Sequence, residues 1–284
     1  MDARSDSGRV TTVELWTGDS MSYQLIHGDC LEVMPTLADK SIDSIICDLP
    51  YGTTNCSWDS VIPFEPLWAQ YKRIIKPRGA IVLFGSQPFT SALIMSNIDW
   101  FKYEWIWKKT HATGQLNLNV RPMTEHENIC VFASGKTTYN LQMTKKPKDK
   151  IRAPTRMGMS DCYGAQREYD RTVPIDMRSP TTVLQFGSVN HGERGYHPTQ
   201  KPVDLLRYLI RTYTNEGEII LDNTMGSGST IVAAIQEGRN AIGIERDADY
   251  FAIAQQRCLE ATYQPSLFTP QPTQWQPVAM FGDD

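Results

Sequence analysis

The sequence predicts an α/β protein built on a mostly parallel sheet with helices on both faces. Three observations predict it. Apolar runs of strand length recur along the chain: Ile42–Cys47, Ala80–Phe84, Glu218–Leu221 and Asn240–Ile244. They are nearly continuous rather than alternating, as strands buried on both faces are. Segments with apolar residues at helical spacing alternate with them, which is the pattern of parallel strands joined by right-handed crossovers. Two of the runs also end in clusters of turn formers, Asp48 to Gly52 and Asp222 to Ser229. Such turns present polar groups above the carboxyl edge of an open sheet.

Taken in order, residues 1–20 are polar and are expected to be a loose tail without secretory character. Tyr23–His27 predicts a short strand, and Leu31–Leu37 a helical turn after Gly28-Asp29-Cys30. Ile42–Cys47 is the strand that leads into Asp48-Leu49-Pro50-Tyr51. Thr53–Pro63 is a loop carrying Trp58. Phe64–Ile75 is a helix with Leu67, Trp68, Tyr71, Ile74 and Ile75 at helical spacing, stopped by Lys76-Pro77-Arg78-Gly79. Ala80–Phe84 is a strand, Gln87–Asn97 a helix and Phe101–Trp107 a strand. From Lys108 to Tyr196 the texture is polar and irregular, with strands expected only at Asn128–Phe132 and Thr182–Phe186. So long a weakly patterned stretch reads as a functional insertion or a partly disordered one. Order returns with His197–Pro202, a helix over Val203–Thr214 and a strand over Glu218–Leu221. A helix over Thr230–Glu237, a strand over Asn240–Ile244 and a helix over Ala248–Ala261 follow. The Pro- and Gln-rich end, 263–284, is expected to be disordered. The resulting organisation is a tail (1–20), one half-domain (21–107), an insertion (108–196), a second half-domain (197–262) and a second tail.

The formal net charge of −4 argues against a protein that binds polyanions with its whole surface. Locally the balance reverses. Lys145, Lys146, Lys148, Lys150, Arg152 and Arg156 are opposed only by Asp149. This is a candidate polyanion contact and equally a solvated basic loop. The six cysteines form no CxxC pair, which predicts a reduced, cytoplasmic protein with no metal site. No apolar run nears the ~18 residues of a membrane span.

Leu221 to Thr230 joins a strand to a helix. Gly226 and Gly228 let backbone approach a ligand, and Ser227, Ser229 and Thr230 offer donors at the helix N-terminus. The next strand ends in Glu245, about 20 residues on, where an acid can accept hydrogen bonds from both hydroxyls of a ribose. The dinucleotide fingerprint fails, because Ile231 stands where its third glycine belongs, and no P-loop is present. A phosphate-free nucleoside cofactor, S-adenosylmethionine (AdoMet), suits the turn. A tight turn without a ligand is the alternative.

The two turns together resemble the amino-methyltransferases of DNA, which methylate adenine N6 or cytosine N4. Asp48-Leu49-Pro50-Tyr51 resembles their catalytic D/S/N-P-P-Y/F tetrad, with Leu49 in place of the commoner proline. Asp222 to Gly228 resembles their AdoMet-binding turn, and His197 to Pro202 the HPTQKP segment before it. The order of motifs resembles the β group. The resemblance implies a Rossmann-like AdoMet-methyltransferase sheet of seven strands, permuted in sequence, with 108–196 as target-recognition region. It implies adenine-N6 methylation of double-stranded DNA, with AdoMet as cofactor and the basic cluster on DNA phosphates. Asp48 and a carbonyl near Leu49–Pro50 would accept the amino hydrogens while Tyr51 stacks on the flipped base. Glu245, with neighbouring Arg246, would hold the ribose, and Asp29, with Cys30, would meet the adenine of the cofactor. Asp222, Thr224, Met225, Gly226, Ser227, Gly228, Ser229 and Thr230 would line the methionine portion. Thr199, Lys201 and Pro202 would approach its amino-acid end, with Lys201 opposite the carboxylate. Asp29 is alternatively a helix cap, and Lys201 a surface charge. Cytosine N4 is the close alternative; a nicotinamide-dependent oxidoreductase and an inactive DNA-binding homologue are more distant ones.

Overall fold

The computed structural model describes residues 11–17, 20–53, 59–151, 174–187 and 200–263. Eleven strands and six α-helices are described there. The strands are β1 (Thr11–Thr17), β2 (Ser20–His27), β3 (Ile42–Cys47), β4 (Ile75–Gly85), β5 (Phe101–Thr113), β6 (Thr124–Phe132), β7 (Thr144–Lys145), β8 (Met177–Arg178), β9 (Val183–Gln185), β10 (Ile219–Asp222) and β11 (Asn240–Glu245). The helices are α1 (Cys30–Val33), α2 (Phe64–Ile74), α3 (Phe89–Ser96), α4 (Val203–Tyr213), α5 (Ser229–Gln236) and α6 (Ala248–Tyr263).

Nine strands form one sheet in the order β1-β2-β11-β10-β3-β4-β6-β5-β9. The run from β2 to β4 is parallel throughout. β6 turns antiparallel to β4, and β5 antiparallel to β6. Side chains of a strand alternate between faces, and here the alternation splits the core in two. Leu25 and Ile46 join a cluster with Leu206, Ile231 and Phe251 of α4, α5 and α6. Ile26, Ile45 and Cys47 join the opposite cluster, with Leu67 and Phe89 of α2 and α3. Both faces of the central strands are therefore dry, which is why their sequences are continuous apolar runs.

Four expectations are corrected. The sheet has nine strands rather than seven, because β1 and β9 extend its edges. The expected N-terminal tail contains β1, whose polar residues alternate with Val13 and Leu15, both packed on the core. A half-exposed edge strand reads as polar in sequence. The insertion is also narrower than 108–196. β5 continues to Thr113 and pairs with β6, so this stretch belongs to the sheet. The contacts divide the chain into two units, and the described part of the smaller lies within Leu141–Thr181. That unit contains the two-stranded antiparallel ribbon of β7 and β8. Lys76–Gly79 does not end an element: α2 passes directly into β4 at Ile75. The expected C-terminal tail lies outside the described residues from 264 on. No described helix is long and apolar enough to cross a membrane.

Candidate active site

The carboxyl ends of four adjacent strands build one cleft. β3 delivers Asp48 to Tyr51, and β10 delivers Asp222 to Thr224. β11 delivers Glu245, and β2 delivers Gly28 and Asp29. The cleft encloses about 1190 Å³ of space free of protein atoms, mouth included.

The two motif turns are tied to each other. Thr224 Oγ1 donates to the Asp48 carbonyl at 3.0 Å, and the Cys47 thiol lies 2.9 Å from Thr224 Oγ1. Behind them Tyr71 donates its hydroxyl to Asn223 Oδ1 at 2.5 Å. The glycine turn is fixed from below by buried Arg257, which donates to Ser227 O at 2.6 Å and to Ser229 Oγ at 3.1 Å. Gly228 has φ +80, and a Cβ there would stand 3.0 Å from that of Ala254, so glycine is required. Glu245 accepts from the Gly226 and Asp247 amides, both at 2.8 Å, which ties the turn to the end of β11.

Asp48 is held from both sides. Tyr51 donates its hydroxyl to Oδ1 at 2.5 Å, and the Lys201 ammonium bonds Oδ2. Lys201 also lies 3.3 Å from Glu127 Oε2, and Lys109 sits 2.6 Å from Glu127 Oε1. Lys109, Glu127, Lys201 and Asp48 thus alternate in charge along one line. Lys201 is 7 % exposed and also lies over the Phe84 and Tyr51 rings. Burial, together with the Glu127 charge, raises the Asp48 pKa beyond what Lys201 offsets. Burial would raise Glu127 too, but the ammoniums of Lys201 and Lys109 outweigh it and hold Glu127 low. Burial would lower Lys201, but its two carboxylate neighbours keep it high.

Asp222 is buried, accepts from the Thr224 amide at 3.2 Å, and has its pKa pushed up to about 6 by desolvation. A carboxyl raised in the folded state costs stability above that pKa, and the cost vanishes below the unfolded value. Asp222→Asn is therefore expected to raise the unfolding temperature of the unliganded protein at neutral pH and to lose that advantage below about pH 4. A difference in thermal scans that stays constant across this range would exclude burial of the charge as its source.

The cleft gathers most of the residues the motifs indicated: Asp29, Cys30, Asp48, Leu49, Pro50, Tyr51, Lys201, Asp222, Thr224, Met225, Gly226, Ser227, Ser229, Thr230, Glu245 and Arg246. Pro202 and Gly228 are buried and do not line it. Thr199 lies outside the described residues, as do Trp58, Arg152 and Arg156. The surroundings of Lys201 differ from expectation, and for Asp29 both stated readings are met. Lys201 faces Asp48 and Glu127 rather than standing free for a cofactor carboxylate, because buried carboxylates capture a buried ammonium. Asp29 caps α1, its Oδ1 accepting from the Leu31 amide at 2.8 Å, while also lining the cleft. In the smaller unit Lys145 and Lys148 are exposed, Lys146 donates to the Ile175 carbonyl at 3.0 Å, and Lys150 closes a short 3₁₀ turn.

A family model described as N6/N4-type "DNA methylase" matches residues 42–256. The chain belongs to that DNA methylase family. It is 30 % identical over 254 residues to the type II methyltransferase M.HpaI of Haemophilus parainfluenzae, covering 84 % of this chain and 74 % of that one. To the type II methyltransferase M.HinfI of Haemophilus influenzae it is 27 % identical over 271 residues, covering 85 % and 70 %. Among solved structures, the M1.HpyAVI–SAM complex matches with TM-score 0.57 and 26 % identity, covering 83 % of this chain and 98 % of that one. The cytosine-N4-specific PvuII DNA methyltransferase matches with TM-score 0.58 over 86 % of this chain and 92 % of that one; at 15 % identity it speaks for the fold alone.

For a DNA methylase, three features of the cleft went unread in the sequence. Glu127 and Lys109 lie on β6 and β5, far from either motif, and no local spacing marks them. Asp59 folds the loop after the tetrad, accepting from the Gly52 and Thr53 amides at 2.8 and 2.9 Å. Gln200 lines the cleft with both amide atoms buried and unpartnered. Its place between Thr199 and Lys201 was the one available signal.

Proposed function

We propose that this DNA methylase is an adenine-N6 methyltransferase that uses AdoMet and acts on a base flipped from double-stranded DNA. The observation that carries the reading is Asp48 at the tip of β3, its backbone carbonyl tied through Thr224 to the glycine turn and its carboxylate to Tyr51. The residues fit AdoMet. Glu245 turns an acid into the cleft for a diol, and the turn at Gly226 offers backbone without a phosphate clamp. Gln200 and Asn223 carry buried polar atoms that lack partners in the free protein, as a polar ligand site does. When bound, AdoMet supplies an electrophilic methyl group.

The chain's own part follows from the geometry. Flipping a base out of the duplex costs a few kcal/mol, and stacking on an aromatic ring returns about 1–3 kcal/mol. Tyr51, supported by the Phe89 ring at 5.0 Å, offers that ring. An ionised carboxylate has about four acceptor sites, so Asp48 can accept an amine hydrogen while keeping its bonds to Tyr51 and Lys201. A carbonyl of Leu49–Pro50 accepts the second hydrogen. This draws the nitrogen lone pair out of conjugation and stabilises the positive charge that grows on it. Holding nucleophile and methyl group in line supplies much of the rest. The nitrogen must then lose one proton, and the raised pKa of Asp48 suits it to receive one. The acid at the first tetrad position supports adenine over cytosine. The exposed lysines of the smaller unit are assigned to DNA phosphates, where they would add salt-dependent, sequence-blind affinity.

Expression in a bacterial host without its own adenine methylation tests the reading. Methylation-sensitive sequencing of host DNA is expected to find 6-methyladenine at one short recurring motif. 4-Methylcytosine at that motif would make the enzyme a cytosine-N4 methyltransferase. Unmodified DNA from cells holding folded protein would refute the reading altogether.

A further inference from the structure

The hairpin of β5 and β6 stands beyond the catalytic edge of the sheet. Gly85, the last residue of β4, pairs with Asn128, so the part of β6 before Asn128 rises past the carboxyl end of its neighbour. Glu127, paired with Trp107, lines the cleft, and the last hairpin pair is Thr113 with Thr124. Three residues at ~3.3 Å each put that pair about 10 Å above the floor of the site. The tip itself is apolar and bare: Leu116 is 102 % exposed, Leu118 58 % and Val120 86 %. It is also ordered by its own backbone. The Asn117 amide donates to the Gly114 carbonyl at 3.0 Å, and the Val120 and Arg121 amides donate to the Asn117 carbonyl at 2.9 and 3.0 Å.

Single exposed apolar residues are common on protein surfaces, but three within five residues on a fixed turn are a patch. Its setting matches nucleic acid. Along the protruding stem and tip Lys109 is paired with Glu127, and the exposed charges are Lys108 and Arg121 against one acid, Glu125, in a chain whose net charge is −4. Three side chains fall far short of the roughly 800 Å² per partner that a stable dimer interface buries. Leucine and other apolar side chains placed between base steps unstack a duplex.

We infer that the tip of this hairpin is a wedge that enters the DNA duplex beside the target base and helps to expel it into the cleft. The inference rests on the proposed DNA methyltransferase function and adds a duplex-opening element to it. Opening is then shared: the wedge disrupts the stack from outside, and Tyr51 receives the base inside. A variant with Leu116→Ser, Leu118→Ser and Val120→Ser alters exposed side chains only and keeps the turn's backbone bonds.

The test uses two duplexes carrying the motif read from host DNA. One has its target base paired, and the other has the target opposite an abasic site, already unpaired. The triple variant is expected to methylate the paired duplex about tenfold or more slowly than the unchanged enzyme, and the abasic duplex within about twofold. Equal loss on both duplexes, or no loss on the paired one, overturns the wedge. A change from dimer to monomer in the variant, seen by sedimentation, also overturns it and assigns the tip to an interface between copies. An unchanged enzyme that methylates neither duplex refutes the function on which the wedge rests.

Discussion

Asp48→Asn is expected to lower methyl transfer to DNA by about 10²–10³-fold at saturating cofactor and DNA. The substitution keeps the shape of the side chain and one acceptor oxygen. It removes the negative charge that faces the amine as that nitrogen becomes positive. In a low-dielectric cleft such a charge acts more strongly in the transition state than in the bound ground state, so kcat falls while binding holds. The neighbours of Asp48 sharpen the expectation. The Thr224 bond goes to its backbone carbonyl, so the tie to the glycine turn survives the change. Cofactor affinity measured by calorimetry is therefore expected to stay within a few-fold. Single-turnover transfer of labelled methyl groups checks the rate. A variant within tenfold of the unchanged enzyme would remove Asp48 from the chemistry.

Lys201→Met is expected to cost up to about 3–5 kcal/mol of stability at neutral pH, because it leaves the half-buried Asp48 carboxylate without its ammonium and facing Glu127. Lys201 and Glu127 are 7 % and 14 % exposed, so water screens little of the loss. The sign with pH follows from Glu127, whose pKa the ammoniums hold down. A depressed carboxyl contributes stability above its ordinary pKa and loses it on acidification. The gap between unchanged and variant protein therefore widens as pH rises through the carboxylate range and closes below it. Asp48, stripped of its counter-charge, moves further up, so the acid limb of the pH–rate profile shifts to higher pH. Pairing Lys201→Met with Asp48→Asn is expected to recover part of the stability, since it removes the uncompensated carboxylate and leaves the Glu127–Lys109 pair intact. Urea denaturation at two pH values reads the first effect and the rate profile the second. Equal losses in single and double variants would mean that the charge line is not what holds this corner together.

The parts of this molecule legible in the sequence are those where local pattern and tertiary role coincide. Ile42–Cys47 is apolar throughout because both sheet faces are covered there, and its neighbour Asp48 is conspicuous for ending it. Gly226, Gly228 and Glu245 are legible for a similar reason: turn chemistry and the rise of one βαβ unit fix their separation. The illegible parts depend on pairing across the chain. β1 looks like a tail because its partner supplies half its burial. The long hairpin of β5 and β6 looks like the start of an insertion because its strands beyond Trp107 are exposed and polar. Glu127 is one acid among several until β6 is laid beside β4 and Lys201 arrives from the segment before α4. Lys201 illustrates the limit most clearly. Its motif placed it at the site, but only the fold shows that it neutralises Asp48.

The most direct test of the central claim follows the methyl group. Duplex DNA is incubated with the protein and AdoMet bearing a deuterated methyl group, digested to nucleosides and resolved by mass spectrometry. Asp48 acting on an adenine amine predicts deuterated 6-methyladenine from the unchanged protein and only a trace from Asp48→Asn. Deuterated 4-methylcytosine in its place, or equal labelling by both proteins, would contradict it.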